Sequence, residues 1–298
     1  MREPLFSVIT TGRGEKDAKK LKETFSNWQT AREIFEGEID RSKAVEFVVV
    51  DAGENADFPQ LSNSTLIPSE EYETSKRALF ESGVIKYSWW DTPSIGRNLG
   101  FRHAKGRLIV FQDLDSLFST GSELDYQYVR SRLDEYDNYF TVMYRAFKGK
   151  QIVAAAPSLR PRDSLKTGRR FGMMGLNLMT RLSLKMPTIN ICSIPVFGPS
   201  VPGCSIVLLQ KTAAQMASLN KTGPCDPELG VAEDHKLSRS IGMYGRLSYE
   251  KKAGVFTRTR SRVSSGFDIV KSLGYAFKGA PYFAFPGIYK YRKHTLSI

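Results

Sequence analysis

Two apolar runs, each ending on carboxylates, constrain this 298-residue chain more than anything else in it. Val45-Glu46-Phe47-Val48-Val49-Val50 stops at Asp51-Ala52-Gly53, and Leu108-Ile109-Val110-Phe111 runs into Gln112-Asp113-Leu114-Asp115. A strand with one wet face alternates apolar and polar residues, whereas an unbroken apolar run suits a strand covered on both faces, as in a parallel sheet. Helices must then flank that sheet on either side, and the acids fall where strands meet loops.

The rest of the first 120 residues fits this plan. Phe6 to Thr10 reads as a strand, Gly12-Arg13-Gly14 as punctuation, and Glu15 to about Glu36 as a helix. A helix is predicted around Glu70 to Ser82, a third strand over Val84-Ile85-Lys86-Tyr87, and a further helix from Ser94 to Gly106 ahead of the fourth strand. Strand and helix in alternation predict a doubly wound α/β sheet, whose ligands collect at the carboxyl ends of the strands. Further on, Ile152 to Ala156 and Gly203 to Leu209 read as strands, and Lys211 to Leu219 and Glu233 to Ile241 as helices. Arg160 to Lys185 mixes Arg, Gly, Met and Ser without a period and reads as a loop on the acceptor side. From Arg258 onward basic residues alternate with aromatics.

Composition narrows the class. Forty-three lysines and arginines against 31 acids leave a net charge of +12, which favours acidic partners without choosing among nucleic acid, anionic lipid and phosphorylated small molecules. Cys192, Cys204 and Cys225 form no CxxC spacing, so neither a disulfide framework nor a zinc cluster is expected, and a cytoplasmic setting fits. No stretch approaches the ~18 uninterrupted apolar residues of a membrane span, leaving peripheral contact with a membrane surface as the expected limit.

The chemistry centres on Asp113 and Asp115. Two carboxylates at i and i+2 in a turn can aim several hard oxygens at one Mn²⁺ or Mg²⁺, with diphosphate oxygens completing the octahedron. Taken alone the pair is an ordinary turn. Its surroundings give it weight: Ser94-Ile95-Gly96-Arg97-Asn98-Leu99-Gly100, then Ala104-Lys105-Gly106, the apolar strand, and Gln112-Asp113-Leu114-Asp115. In this order they resemble the donor-binding core of GT-A-type glycosyltransferases, above all the family 2 enzymes with their Asp-x-Asp motif. Ser7-Val8-Ile9-Thr10-Thr11 and the run ending at Asp51 look like the first two strands of that fold. Pro202-Gly203-Cys204-Ser205 resembles its glycine loop, and Asp226 to Asp234 its segment ending in Glu-Asp.

The resemblance implies a GT-A, Rossmann-like mixed sheet over residues 1–254, with a donor-binding half at about 1–120 and an acceptor and base half at 121–254. A basic, aromatic C-terminal extension or lid follows at 255–298. It implies a glycosyltransferase, a hexosyltransferase in particular, moving sugar from a UDP- or GDP-linked donor to a saccharide, lipid-linked or protein acceptor with inversion. Thr10 and Thr11 would border the nucleoside, Asp51 the base, Arg97 the nucleotide or its phosphates, and Gly203 the donor loop. Asp113 would meet the ribose or metal, Asp115 the metal, and Asp234, beside Glu233, would be the general base. Arg258 reads as a diphosphate clamp on the lid.

The chain departs from the family at the metal's usual third ligand, since no His stands near Gly254-Val255-Phe256-Thr257; His294 is the candidate that reaches back from the tail. His103 and His235 read as surface residues, because no partner stands at metal-ligand spacing. The competing class is a basic nucleic-acid-binding or non-catalytic interaction protein on the same scaffold. It leaves the acids unexplained, because carboxylates at strand ends repel a phosphate backbone, and no zinc finger or RNP-like block is present, so nucleic acid is not an expected partner. A dinucleotide oxidoreductase is weaker still, as Gly12-x-Gly14 reaches Asp17 where a third glycine is needed.

Overall fold

β1 (Phe6–Gly12) and α1 (Gly14–Glu38) set the frame. Ala18, Leu21, Phe25, Trp28 and Phe35 recur at helical spacing along α1 and are buried, so one stripe of the helix lies on the sheet. The helix starts at once after the strand because Gly14 takes a positive φ of 65° and the Asp17 carboxylate accepts the Arg13 N–H at 3.0 Å. The computed structural model describes residues 3–53, 56–59, 62–122, 136–162, 174–175, 177–178, 180–185, 189–191, 194–197, 199, 201, 205–220, 222–229 and 233–257.

The elements that follow are β2 (Val45–Asp51), β3 (Ser64–Ile67), α2 (Ser69–Glu81), α3 (Pro93–His103), β4 (Leu108–Gln112), β5 (Leu117–Phe118) and α4 (Tyr139–Gly149). Then come β6 (Ala154–Pro161), the hairpin of β7 (Ile189–Ile191) and β8 (Ile194–Phe197), β9 (Ser205–Leu209), α5 (Gln210–Asn220), α6 (Glu233–Gly242) and β10 (Leu247–Thr257). Eight strands form one mixed sheet in the order β3-β2-β1-β4-β9-β6-β10-β5.

Both faces of the sheet are covered, as the apolar runs require. Phe6, Val8, Phe47, Val49 and Val110 pack towards α1 and α4 with Trp28, Phe35 and Phe140. Ile9, Val48, Val50, Ile109 and Phe111 pack towards the other face with Tyr72, Leu99, Met216 and Ile241 from α2, α3, α5 and α6. α3 lies very close to β1: a Cβ on Gly96 would come within 2.4 Å of Thr11, and one on Gly100 within 2.4 Å of Ile9 Cγ2. The glycines of the Gly96-Arg97-Asn98-Leu99-Gly100 motif therefore set how near the helix sits to the strand.

The predicted third strand is corrected. Val84 to Tyr87 is not a strand: Val84 to Lys86 form bends, because the amides of Val84 and Ile85 both turn back to the Leu79 carbonyl, at 2.9 and 3.1 Å, and close the end of α2 through Gly83 at φ 71°. Ile85 is apolar because it plugs the core. The strand beside β2 is instead Ser64–Ile67, an edge strand with a largely exposed, polar pattern that gives no apolar run to read. The strand expected over 152–156 runs from Ala154 to Pro161.

Candidate functional site

Several strand ends converge on one edge of the sheet. β1, β2 and β4 run parallel; β9 is antiparallel to both β4 and β6, which returns β6 to the direction of β4, and β10 follows β6. The carboxyl ends of β1, β2, β4, β6 and β10 therefore share an edge, the place where open α/β sheets bind ligands. Asp51, the Asp113–Asp115 turn, Arg162 and Thr257 all stand on it.

Asp51 ends β2 in register with Gly12 and is buried. Its Oδ1 accepts the Gly53 N–H at 3.2 Å and its Oδ2 the Ala56 N–H at 3.1 Å, so the carboxylate shapes the loop that follows it. Thr10 and Thr11 are separated by the pleat: Thr10 shares the α1 face with Phe6 and Val8, and Thr11 lies under Gly96 of α3. Among the described residues their hydroxyls, that of Ser94 in the first turn of α3, and both ends of the Gln112 carboxamide are buried without a hydrogen-bond partner.

Arg97 is buried on α3 and its Nη2 donates to Asp113 Oδ1 at 3.3 Å, while the Asp113 side chain stays 41% exposed. The turn beyond closes through the Ser116 N–H on the Asp113 carbonyl at 3.1 Å. On the far flank, Arg162 follows β6, its own N–H donates to the Thr257 carbonyl at 2.9 Å, and its Nη1 donates to the Asp115 carbonyl at 3.2 Å. Two guanidinium groups thus bracket the acidic turn. Arg162 was not singled out by sequence reasoning, because the strand before it, Ala154–Pro161, continues through Pro157, Ser158 and Arg160, which end the apolar run that could be read.

Asn98, beside Arg97, bonds the backbone of Cys225, and the indole N–H of Trp90 donates to the Pro227 carbonyl at 2.8 Å. Asp226 accepts the Glu228 N–H at 2.9 Å and pairs with Lys236. These contacts fix the loop that leads into α6 and Asp234, whose carbonyl accepts the Ser238 hydroxyl at 2.7 Å. The side chain of Glu233, and Gly203, Arg258 and His294, lie outside the described residues.

At the other end of the edge, Arg13 Nη2 pairs with Asp91 Oδ2 at 2.7 Å, and Asp91 also accepts from the Tyr72 hydroxyl. Burial, and then the Asp91 carboxylate, push the Tyr72 hydroxyl far above its ordinary range, so it stays a donor.

Among the described residues no three His, Cys, Asp or Glu side chains gather into a metal site, and no helix is long and apolar enough to cross a membrane. The donors at Asp113 and Asp115 are two carboxylates in one turn. They suit a hard divalent ion that takes its remaining ligands from substrate oxygens and water.

No family model and no curated protein matches the chain. Among solved structures, the mannosyltransferase PcManGT from Pyrobaculum calidifontis, in complex with GDP-Man and Mn²⁺, is similar with a TM-score of 0.51 and 16% identity. The alignment covers 95% of this chain and 68% of that one. Residues 1–349 of TarS from S. aureus align with a TM-score of 0.49 and 13% identity over 95% of this chain and 73% of that one. The first likeness is one of fold, and with the mixed sheet and its helices on both faces it gives this chain the GT-A-type, Rossmann-like architecture.

Proposed function

We propose that this chain transfers a sugar, a hexose in particular, from a UDP- or GDP-linked donor to an acceptor hydroxyl on a saccharide, lipid-linked or protein substrate. The observation that carries the reading is the Arg97–Asp113 contact, which sets a buried guanidinium against the first acid of an Asp-x-Asp turn at the ligand-binding edge of a GT-A sheet. The neighbour of known complex binds GDP-Man with Mn²⁺, which supports a nucleotide-sugar donor and a divalent ion.

In this reading Asp234 takes the proton of the acceptor hydroxyl as its oxygen forms a bond to the anomeric carbon, and the bond from that carbon to the diphosphate oxygen breaks on the opposite face, inverting the centre. The negative charge released on the diphosphate falls between Arg97 and Arg162. Mn²⁺ or Mg²⁺, held by Asp113 and Asp115, would supply Lewis-acid neutralisation of that charge. Thr11 and the loop shaped by Asp51 border the nucleoside. Thr10, Glu233, Gly203 and Arg258 remain in the proposal as neighbours of the donor or the base, and His294 as a third metal ligand.

A thermal-shift panel tests the reading: UDP, GDP, CMP and dTDP, each with and without Mn²⁺, beside nucleic acid. The expected result is metal-dependent stabilisation by a nucleoside diphosphate, about 2.7 kcal/mol at a hundredfold excess over Kd, and none from nucleic acid. Stabilisation by nucleic acid alone would overturn it in favour of the basic binding module. Inversion is tested by the anomer of the product.

A further inference from the structure

We infer that the donor's base is guanine, read by Glu73 together with Arg13, so that the substrate is a GDP-sugar; this rests on the nucleotide-sugar reading above. A cleft of about 530 Å³ opens between the start of α1, the loop after β2 and the first turns of α2, lined by Arg13, Gly53, Glu70, Glu73 and Arg77. It begins two residues past Asp51, at the carboxyl end of β2, on the edge where the dyad also stands.

Asp51 itself is not among the residues that line the cleft. It is 3% exposed, and both its oxygens accept backbone N–H groups of its own loop. Two acids do line the cleft, Glu70 and Glu73, and Glu73 is the one next to Gly53. Gly53 has φ 108° and no side chain; a Cβ there would stand 3.5 Å from Glu73 Oε1 and 3.8 Å from Arg13 Nη2. A carboxylate and a guanidinium thus both stand close to one bare stretch of backbone. Each has an ionic partner. Arg13 is paired with Asp91 at 2.7 Å, and Lys76, itself largely buried, lies 3.7 Å from Glu73.

The two groups ask for different things from a base. An ionised carboxylate only accepts hydrogen bonds, and its two oxygens match two neighbouring donors; a guanidinium only donates, and its fork matches two neighbouring acceptors. Guanine offers both, with N1–H and N2–H side by side and O6 and N7 as the acceptors. Uracil has a single N3–H between two carbonyl oxygens, which a carboxylate repels. Cytosine and adenine place an acceptor nitrogen next to their amino group, where the carboxylate needs a second donor.

Titration calorimetry on the full chain with GDP, UDP, ADP and CDP in Mn²⁺ tests the inference, followed by Glu73→Gln and Arg13→Lys. GDP should bind at least about tenfold tighter than UDP, and Glu73→Gln should weaken GDP about tenfold while leaving UDP unchanged, the worth of one charged hydrogen bond. Tighter UDP, ADP or CDP binding overturns guanine and leaves the nucleotide-sugar reading standing, and so does an equal loss for all nucleotides in the Glu73 variant. Binding of none of them overturns both. If the Glu73 variant melts early, the preference of the unaltered chain still decides.

Discussion

Asn98 and Cys225 hold each other by two hydrogen bonds: Asn98 Nδ2 donates to the Cys225 carbonyl at 2.8 Å, and the Cys225 N–H donates to Asn98 Oδ1 at 2.9 Å. Asn98 is 2% exposed, and the preceding residue, Arg97, meets Asp113. Adjacent residues of α3 therefore join the acidic turn to the loop that enters the helix of Asp234. The Arg-Asn pair reads from sequence as a donor-binding motif; in the structure its asparagine is a brace between two parts of the site.

Asn98→Ala removes both bonds to the buried backbone of Cys225, at about 1–3 kcal/mol for each bond lost inside the protein. Urea unfolding should show a loss of about 2–5 kcal/mol, at the upper end of single-site effects. Transfer should fall further than nucleotide affinity, because the loosened segment precedes the helix of Asp234 and does not carry the dyad. Equal losses in both would count against the brace.

Gln112 is the opposite case. Its carboxamide is buried directly before the dyad with neither end bonded among the described residues. Gln112→Leu keeps the volume and deletes the orphan polar atoms, so it should stabilise the protein by about 1–3 kcal/mol in the same unfolding assay. A destabilised variant would show that the amide has a partner when the protein is at work.

Asp115→Asn should abolish the metal-dependent part of nucleotide stabilisation. Asp234→Asn should retain donor binding and lose transfer by about 10²–10⁴-fold, the usual worth of a positioned general base. Both are read by melting shifts beside a transfer assay. Transfer at the unaltered rate in the Asp234 variant would remove the base assignment.

Arg162 is anchored to the carbonyl of Asp115 and to the end of β10 through Thr257. Arg162→Gln should lower kcat about tenfold or more with a smaller change in KM, if its charge meets the departing diphosphate as proposed. Arg162→Lys should restore part of that loss. A change confined to KM would place the residue in ground-state binding instead.

Two buried tyrosines predict the alkaline limit of stability. Burial raises the hydroxyl pKa of Tyr139, and burial with the Asp91 carboxylate raises that of Tyr72, both above the ordinary value near 10. A raised folded-state pKa means the unfolded chain gives up its proton first. Their contribution is therefore complete below about pH 10 and is lost as pH climbs beyond it. Unfolding midpoints should fall steeply above pH 10 and less so in Tyr139→Phe; a flat profile would contradict the burial of these groups.

Much of this fold is legible because hydrophobic burial leaves local marks. Val45–Val50, broken only by Glu46, and Leu108–Phe111 show their two covered faces as near-continuous apolar runs, and the buried stripe of α1 keeps helical spacing, so these strands, the helix and the place of Asp51, Asp113 and Asp115 at or just past strand ends can all be read in one dimension. β3 could not be read, since an edge strand of Ser64-Thr65-Leu66-Ile67 has too little buried surface to leave a pattern, and Val84 to Tyr87 misled because its apolar residues close a helix end. The sequence alone thus determined the central strands, the acids at their ends and the order of the motifs. Only the tertiary structure decided which groups meet: Arg162 at Asp115, Asn98 at Cys225, Glu73 and Arg13 beside Gly53. Those pairs lie on different strands, helices and loops, and the contacts that join them depend on strand order and on how closely glycines let α3 approach β1, neither of which a local pattern encodes.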